Sequence, residues 1–316
     1  MPQIAFIGEC MLELSGAQPG SVFGAAKLGF AGDTLNAATY MARTSRLLDP
    51  AQSGTAAYVT ALGRDAYSNA MIAAWQADGI ATDLVRQIDG ALPGLYTIQT
   101  DATGERSFSY WRDQAAAKQV LAGGHDQTIK NAFARFDGFY LSGISLAILS
   151  PADRQNMIRL VAEYADQGGK VYFDTNHRPR LWPDAKTAID IYQAIAPYCD
   201  TALPTFDDDA ALFGDISAQQ TGQRWLDAGL REVVVKSGGA PTYWCNRDGQ
   251  SGFVTPPVIT DIVDTTSAGD SFNGAFLAAR SHGNSIEDAI AVAQKVAGRV
   301  ICLHGALVDI SDLKFG

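Results

Sequence analysis

The chain has 316 residues, 47% hydrophobic and 18% charged, with a formal net charge of −10 at neutral pH. That size and balance fit one large α/β domain with an ample core, and the acidic charge, without a basic stretch or an aromatic-basic ladder, argues against a nucleic-acid partner. No apolar stretch reaches the ~20 residues of a membrane span, and no basic segment leads into a signal-like apolar core, so a cytoplasmic location is expected.

The first predicted element is a short buried strand at Ile4-Ala5-Phe6-Ile7, ending at Gly8-Glu9. Gly29 to Asn36 reads as a Gly-rich turn running into a helix with Leu35, Ala38, Thr39 and Ala42 on one side. Tyr58 to Leu62 reads as a strand, followed by a helix around Ala66 to Ala77. Leu95 to Thr100 and Arg106 to Arg112 alternate as β-runs on either side of the turn-rich Asp101-Ala102-Thr103-Gly104-Glu105, which predicts a hairpin. A lone hairpin is marginal in water and needs a partner sheet or a docking surface. Alternation puts Tyr110 and Arg112 on one face. If that face looks into a cleft, it offers a hydroxyl and a guanidinium, the group suited to a bidentate grip on a carboxylate.

From Gly138 the chain alternates regularly. Phe139 to Leu141 is a predicted strand, and Pro151 opens a helix that reaches Gln167 before Gly168-Gly169. Val171 to Asp174, Thr201 to Leu203 and Val233 to Val235 are further strands, the pattern of a parallel sheet covered on both faces. Ligands of such sheets bind beyond the C-terminal strand ends. That rule gathers Asn176 and Arg178, Thr205 to Asp208, Lys236-Ser237-Gly238-Gly239 and Asp264 to Asp270 along one edge. Cys10, Cys199, Cys245 and Cys302 have no C-x-x-C spacing, and His125, His177, His282 and His304 are scattered, so neither a disulfide framework nor a zinc site is expected.

The stretch Asp261 to Ala279, DIVDTTSAGDSFNGAFLAA, carries the chemistry. A mostly apolar run, Ile259 to Val263, enters a turn of small residues, and Phe272, Ala275, Phe276 and Ala279 then share a helical face. The N–H groups of Ser267, Ala268 and Gly269 would lie unpaired at that helix N-terminus and could hold an anion, with Asp270 beside them. A base for an attacking hydroxyl next to donors for a moving phosphoryl group is what phosphoryl transfer needs. Ser285 is expected to cap a last helix reaching about Ile301.

The string Asp264 to Gly274 resembles the D-T-x-G-A-G-D-x-F-x-x-G signature of the ribokinase-like (PfkB) sugar kinases, with Ser267 in place of the first Gly. Gly29 to Asn36 is similar to the family's N-terminal Gly-Gly signature, with Ala31 in place of its first Gly. The strings Gly8 to Leu14, Leu92 to Tyr96, Tyr110-Trp111-Arg112, Leu141 to Ser145 and Asn176 to Trp182 resemble a branch of the family that acts on a sugar acid.

The resemblance implies one ribokinase-like α/β domain over residues 1–316, a mostly parallel central sheet with helices on both faces and a small β-lid inserted mainly around 84–115. It implies ATP and Mg2+ as cofactors, with a monovalent cation such as K+ as a further candidate, and a homo-oligomer, dimer or higher, formed through the lid. By the same resemblance Asp270 is the base, with the backbone at Ser267, Ala268 and Gly269 as anion hole. Gly32, Asp33, Asn36, Tyr96, Tyr110, Arg112, Arg178 and Asp264 are the sugar candidates. Asn176, Arg178, Lys236, Ser237, Gly238, Gly239 and Gln294 join the anion loop as nucleotide candidates, and Asp208 is an outer-shell candidate for the metal. The open alternatives are a kinase of a neutral sugar and a catalytically silent sugar-binding protein of the same fold. A dinucleotide oxidoreductase is disfavoured, because no G-x-G-x-x-G follows the first strand.

Overall fold

Strand β1 (Ile4–Ile7) is buried along its whole length, and its alternate side chains feed two separate cores. Ala5 and Ile7 point into one, Ile4 and Phe6 into the other, as period-two geometry requires of a central strand. The structure, a computed structural model, describes residues 3–16, 23–51, 55–101 and 106–315.

After β1 come β2 (Met11–Ser15), β3 (Lys27–Ala31), α1 (Asp33–Leu48), β4 (Ala56–Leu62), α2 (Ala66–Ala77), β5 (Val85–Gln87), β6 (Leu95–Thr100) and β7 (Arg106–Trp111). Then follow α3 (His125–Asn131), β8 (Gly138–Ser142), α4 (Gly143–Ala147), α5 (Pro151–Asp166), β9 (Lys170–Asp174), α6 (Ala185–Ile195) and β10 (Thr201–Ala202). The chain continues through α7 (Phe206–Phe213), α8 (Ala218–Asp227), β11 (Glu232–Val235), β12 (Thr242–Asn246), β13 (Ser251–Val254), α9 (Ala268–Ser281) and α10 (Ile286–Val300).

The main sheet has nine strands in the order β13-β12-β11-β10-β9-β8-β1-β4-β5, parallel from β11 to β5 with β12 and β13 antiparallel at one edge. Side chains of α5, α6 and α8 fill the core on one face, and those of α1, α2, α9 and α10 fill the other. This is a ribokinase-like α/β architecture with helices on both faces of a mostly parallel sheet. No helix of the described residues is long and apolar enough to cross a membrane.

The hairpin β6–β7 does find a partner sheet, in an arrangement the sequence reading did not contain. A four-stranded sheet runs β3-β2-β6-β7, with β2 parallel to β6 and antiparallel to β3. Half of this small sheet, β2 and β3, comes from ahead of the 84–115 stretch in which the lid was expected. Gly29 to Ala31, expected in a turn, are strand residues, because β2 supplies the backbone partners that a Gly-containing segment lacks alone. The turn itself is reduced to Gly32, which caps α1. The turn residues expected at 102–105 lie outside the described residues. The run Ile259 to Val263 joins neither sheet and is exposed at Ile262 and Val263.

Helices α1 and α9 lie side by side, and Gly274 sets how close they come. A Cβ there would stand 2.2 Å from the Ala37 carbonyl oxygen and 2.8 Å from the Met41 nitrogen. Both atoms are helix backbone and cannot step aside. We expect Gly274→Ala to destabilise the fold by about 1–3 kcal/mol, the range for overpacking a tight contact, and to lower activity by spreading the two helix N-termini; a urea midpoint equal to that of the unmodified chain would refute this.

Candidate active site

The N-terminus of α9 is built by an unusual residue. Ser267, its N-cap, has φ 62 and ψ 13, the left-handed region, and makes no side-chain capping bond. The serine thus adopts the conformation that glycine takes freely, at a cost of roughly 1–2 kcal/mol. Its hydroxyl is buried without a partner among the described residues. Asp264 holds the preceding turn: Oδ1 accepts the Thr266 N–H at 2.9 Å and Oδ2 accepts the Gly305 N–H at 2.8 Å. The Ala268 N–H, expected to face outward, turns back to the Thr265 carbonyl at 3.3 Å. Helix geometry points the following N–H groups, of Gly269 and Asp270, out of the helix end.

Three buried or partly buried carboxylates meet at this end of the sheet. Asp270 accepts from Asn36 Nδ2 at 2.9 Å, which joins the N-termini of α9 and α1. Burial, then the neighbouring Asp33 and Asp174 charges, push Asp270 up to about 7. Asp33 accepts from Asn176 Nδ2 at 2.9 Å and is itself raised, chiefly by burial. Asn176 has φ 32, in the left-handed region that a residue with a side chain enters at a cost. Asp174, at the end of β9, accepts from Lys236 Nζ at 3.1 Å and from Asn273 Nδ2 at 2.7 Å. Asn273 also accepts from Lys236 at 3.0 Å and donates to the Tyr140 hydroxyl at 2.9 Å.

Asp174, Asn273 and Tyr140 were not candidates from the sequence. The signal for Asn273 was there: it lies three residues after Asp270 on a helix face that is otherwise apolar. Lys236 is buried beside the anion loop, its Nζ 3.7 Å from a Cβ built at Gly269, whereas Gly238 and Gly239 form an exposed turn. Gln294 is buried and donates to Thr242 Oγ1 at 3.0 Å and to the Val254 carbonyl at 2.8 Å, so its amide braces α10 against the antiparallel edge strands.

On the four-stranded sheet, Tyr96 and Tyr110 stack at 5.8 Å, and the Arg112 guanidinium lies 5.9 Å from the Tyr110 ring. Tyr110 and Arg112 share a face, although β7 ends at Trp111. Tyr96 donates its hydroxyl to Glu13, and Arg112 pairs with the buried Glu9. Arg178 is half exposed and pairs with Asp208 at 3.0 Å. That contact places Asp208 against a guanidinium, and no group of three or more His, Cys, Asp or Glu side chains among the described residues forms a metal cage. A separate cavity of about 800 Å³ opens at the opposite ends of the strands, beside Lys170, Arg231, Glu232 and Arg280. None of the carboxylates described above lines it.

The fold, with helix N-termini and carboxylates gathered at one end of the sheet, is the arrangement expected of a ribokinase-like sugar phosphotransferase. The model of the pfkB family of carbohydrate kinases matches residues 1–312, and the chain belongs to that family. It is 44% identical over 312 residues to the 2-dehydro-3-deoxygluconokinase of Escherichia coli (strain K12), covering 97% of each chain. It is 42% identical over 313 residues to the 2-dehydro-3-deoxygluconokinase of Dickeya dadantii (strain 3937), covering 98% of each. Among solved structures it resembles a PfkB protein from Polaromonas sp. JS666, with a TM-score of 0.81, 21% identity and coverage of 95% of this chain and 96% of that one. A putative ribokinase II from E. coli in complex with ATP and Mg2+ gives a TM-score of 0.79 at 20% identity, covering 97% and 94%.

Two stability outcomes follow from the α9 terminus. Ser267→Gly should stabilise the chain by roughly 0.5–1 kcal/mol, because relief of the left-handed strain outweighs the added freedom of the unfolded glycine; an unchanged or lower urea midpoint counts against the strain. For Asp270, the folded state holds its proton up to about 7, against about 3.9 for an unfolded Asp, so stability falls as pH rises through that window. Asp270→Asn removes this loss and should raise Tm by about 2–4 °C at pH 8, with the gain shrinking toward pH 4. An equal or lower Tm at pH 8 would contradict the burial of the charge.

Proposed function

We propose that the chain transfers the γ-phosphoryl group of ATP to the 6-hydroxyl of 2-keto-3-deoxygluconate, yielding 2-keto-3-deoxy-6-phosphogluconate and ADP. The observation that carries this reading is Asp270: a partly buried carboxylate held up to about 7, beside a helix N-terminus and hydrogen-bonded across to α1. A base of that strength is matched to neutral pH. The choice of sugar acid rests on the names of the full-length relatives, which describe 2-dehydro-3-deoxygluconokinases.

In this reading Asp270 takes the proton of the 6-hydroxyl as its oxygen bonds to the γ-phosphorus. The bond from that phosphorus to the bridging oxygen of ADP breaks in the same displacement. The N–H groups of Gly269 and Asp270, and Lys236 behind them, stabilise the charge on the transferred group; the Ala268 N–H, spent on the Thr265 carbonyl, takes no part. Asp33 and Asn36, at the N-terminus of α1 beside Gly32, hold sugar hydroxyls. Tyr96, Tyr110, Arg112 and Arg178 hold the acid end, and Asn176 with Ser237 to Gly239 lies beside the nucleotide.

Mg2+ suits a cleft richer in carboxylates than in cations, because it usually keeps its waters and binds through nucleotide phosphates and one or two carboxylates. Bound there, it would neutralise charge on the β and γ phosphates, with Asp208 as its outer-shell candidate once released from Arg178. The turn held by Asp264 is the candidate region for a monovalent cation. The face of the lid opposite Tyr96 and Tyr110 exposes Leu28 and Trp111, through which a second copy would pair to form a dimer or larger assembly.

The second reading is a kinase of a neutral sugar. It is favoured by the fact that Glu9 already neutralises Arg112.

An ADP-release assay with ATP and Mg2+ should show strong preference for 2-keto-3-deoxygluconate or its galactonate epimer over fructose and ribose. Arg112→Ala and Arg178→Ala should each raise KM for the acid about tenfold or more. Preference for a neutral sugar would sink the acid reading. Asp270→Asn should lower kcat by a factor on the order of 10² or more with KM little changed, and near-normal turnover in that variant would remove the base assignment.

A further inference from the structure

The backbone passes between the main sheet and the lid at four places: Glu9–Cys10 before β2, Gly32 after β3, Gly94 before β6 and Arg112 after β7. Glu9 touches the other three. A Cβ on Gly32 would come within 2.1 Å of the Glu9 carbonyl oxygen, and a Cβ on Gly94 within 2.9 Å of Glu9 Oε1. Oε2 accepts from Arg112 Nη2. The pair is out of water, with side-chain exposures of 1% for Glu9 and 12% for Arg112.

Two features distinguish this contact from a simple brace. Glu9 Oε1 is buried with no hydrogen-bond partner, whereas a buried structural ion pair ordinarily satisfies its remaining lone pairs. The Arg112 guanidinium, sandwiched between Glu9 and the Tyr110 ring, has no second acceptor among the described residues. A guanidinium offers five N–H groups, so donors remain for another carboxylate after Glu9 has taken its share. A long arginine side chain left to itself also loses rotamer freedom on binding, and prior fixation removes that cost.

We propose that Glu9 is a positioning residue that fixes Arg112 at the root of the lid, with its spare donors presented to the carboxylate of the sugar acid. This rests on the proposed acid specificity and adds to it the residue that prepares the grip. Glu9 acts through Arg112 and takes no part in the phosphoryl transfer. Holding Arg112 to the body also makes recognition of the acid depend on the lid standing at its root geometry, since the same carboxylate packs on Gly32 and Gly94.

The test uses Glu9→Gln and Glu9→Asp, the second keeping the charge but drawing it back by one methylene, with Arg112→Ala and the double variant Glu9→Gln/Arg112→Ala. Each is assayed with 2-keto-3-deoxygluconate as substrate, and with its analogue bearing a hydroxymethyl group in place of the carboxylate as competitive inhibitor. We expect both Glu9 variants to raise KM for the acid at least fivefold, with kcat lowered less than threefold and Ki for the neutral analogue shifted less than twofold. The double variant should have a KM within about twofold of Arg112→Ala alone, because the two residues act as one unit.

A KM for the acid that stays within twofold in both Glu9 variants, while Arg112→Ala raises it, would overturn the positioning role and leave the acid reading standing. An equal loss for acid and neutral analogue, or failure of both Glu9 variants to fold, would make Glu9 a structural brace and overturn it as well. If Arg112→Ala itself leaves KM unchanged, the carboxylate reading fails first and this inference falls with it.

Discussion

Asp33, Asp174 and Asp270 share the end of the sheet with one buried lysine, and much of the local structure is arranged to keep them there. Burying charge is costly unless it is paired and hydrogen-bonded, and Lys236 neutralises only one of the three. The remainder is distributed over neutral amides: Asn36 on Asp270, Asn176 on Asp33 and Asn273 on Asp174. An amide donates without bringing a charge, so the cleft remains short of cations. A metal-bound nucleotide can supply what is missing.

That constraint explains the close packing of α1 on α9. Each helix contributes one end of the Asn36–Asp270 bond, and the crossing is set where Gly274 admits the backbone of its neighbour. The parallel sheet fixes the remaining groups, because Asp174 and Lys236 stand at or just beyond the same ends of β9 and β11. The raised affinity of Asp270 for a proton also weakens the fold at high pH.

What could be read from the sequence was what is encoded locally. The alternation of strands and helices after Gly138 and the turn-to-helix motif at Asp264 to Gly274 are short-range patterns, and each lies where it was expected. Ser267 and Gly274 also have physical reasons that the motif alone did not give: one sits in the left-handed region, the other at a helix crossing. What could not be read depended on distant partners. Gly29 to Ala31 look like a turn until β2 pairs with them, Asp174 is an ordinary strand-end residue until Lys236 and Asn273 reach it, and Glu9 acquires meaning only from Arg112, 103 positions away.

The four-stranded sheet is made from two widely separated pieces of chain, β2–β3 and β6–β7, joined by the parallel pairing of Leu12 with Leu95 and Glu13 with Tyr96. Neither piece has a complete sheet of its own, and the segment between them must first thread through β4 and β5 in the body. Contacts of such sequence separation carry a large loop-closure entropy and form after the local ones. Excising residues 84–115 as a cassette would remove the strand that pairs with β2 and leave β2 with an unpaired edge.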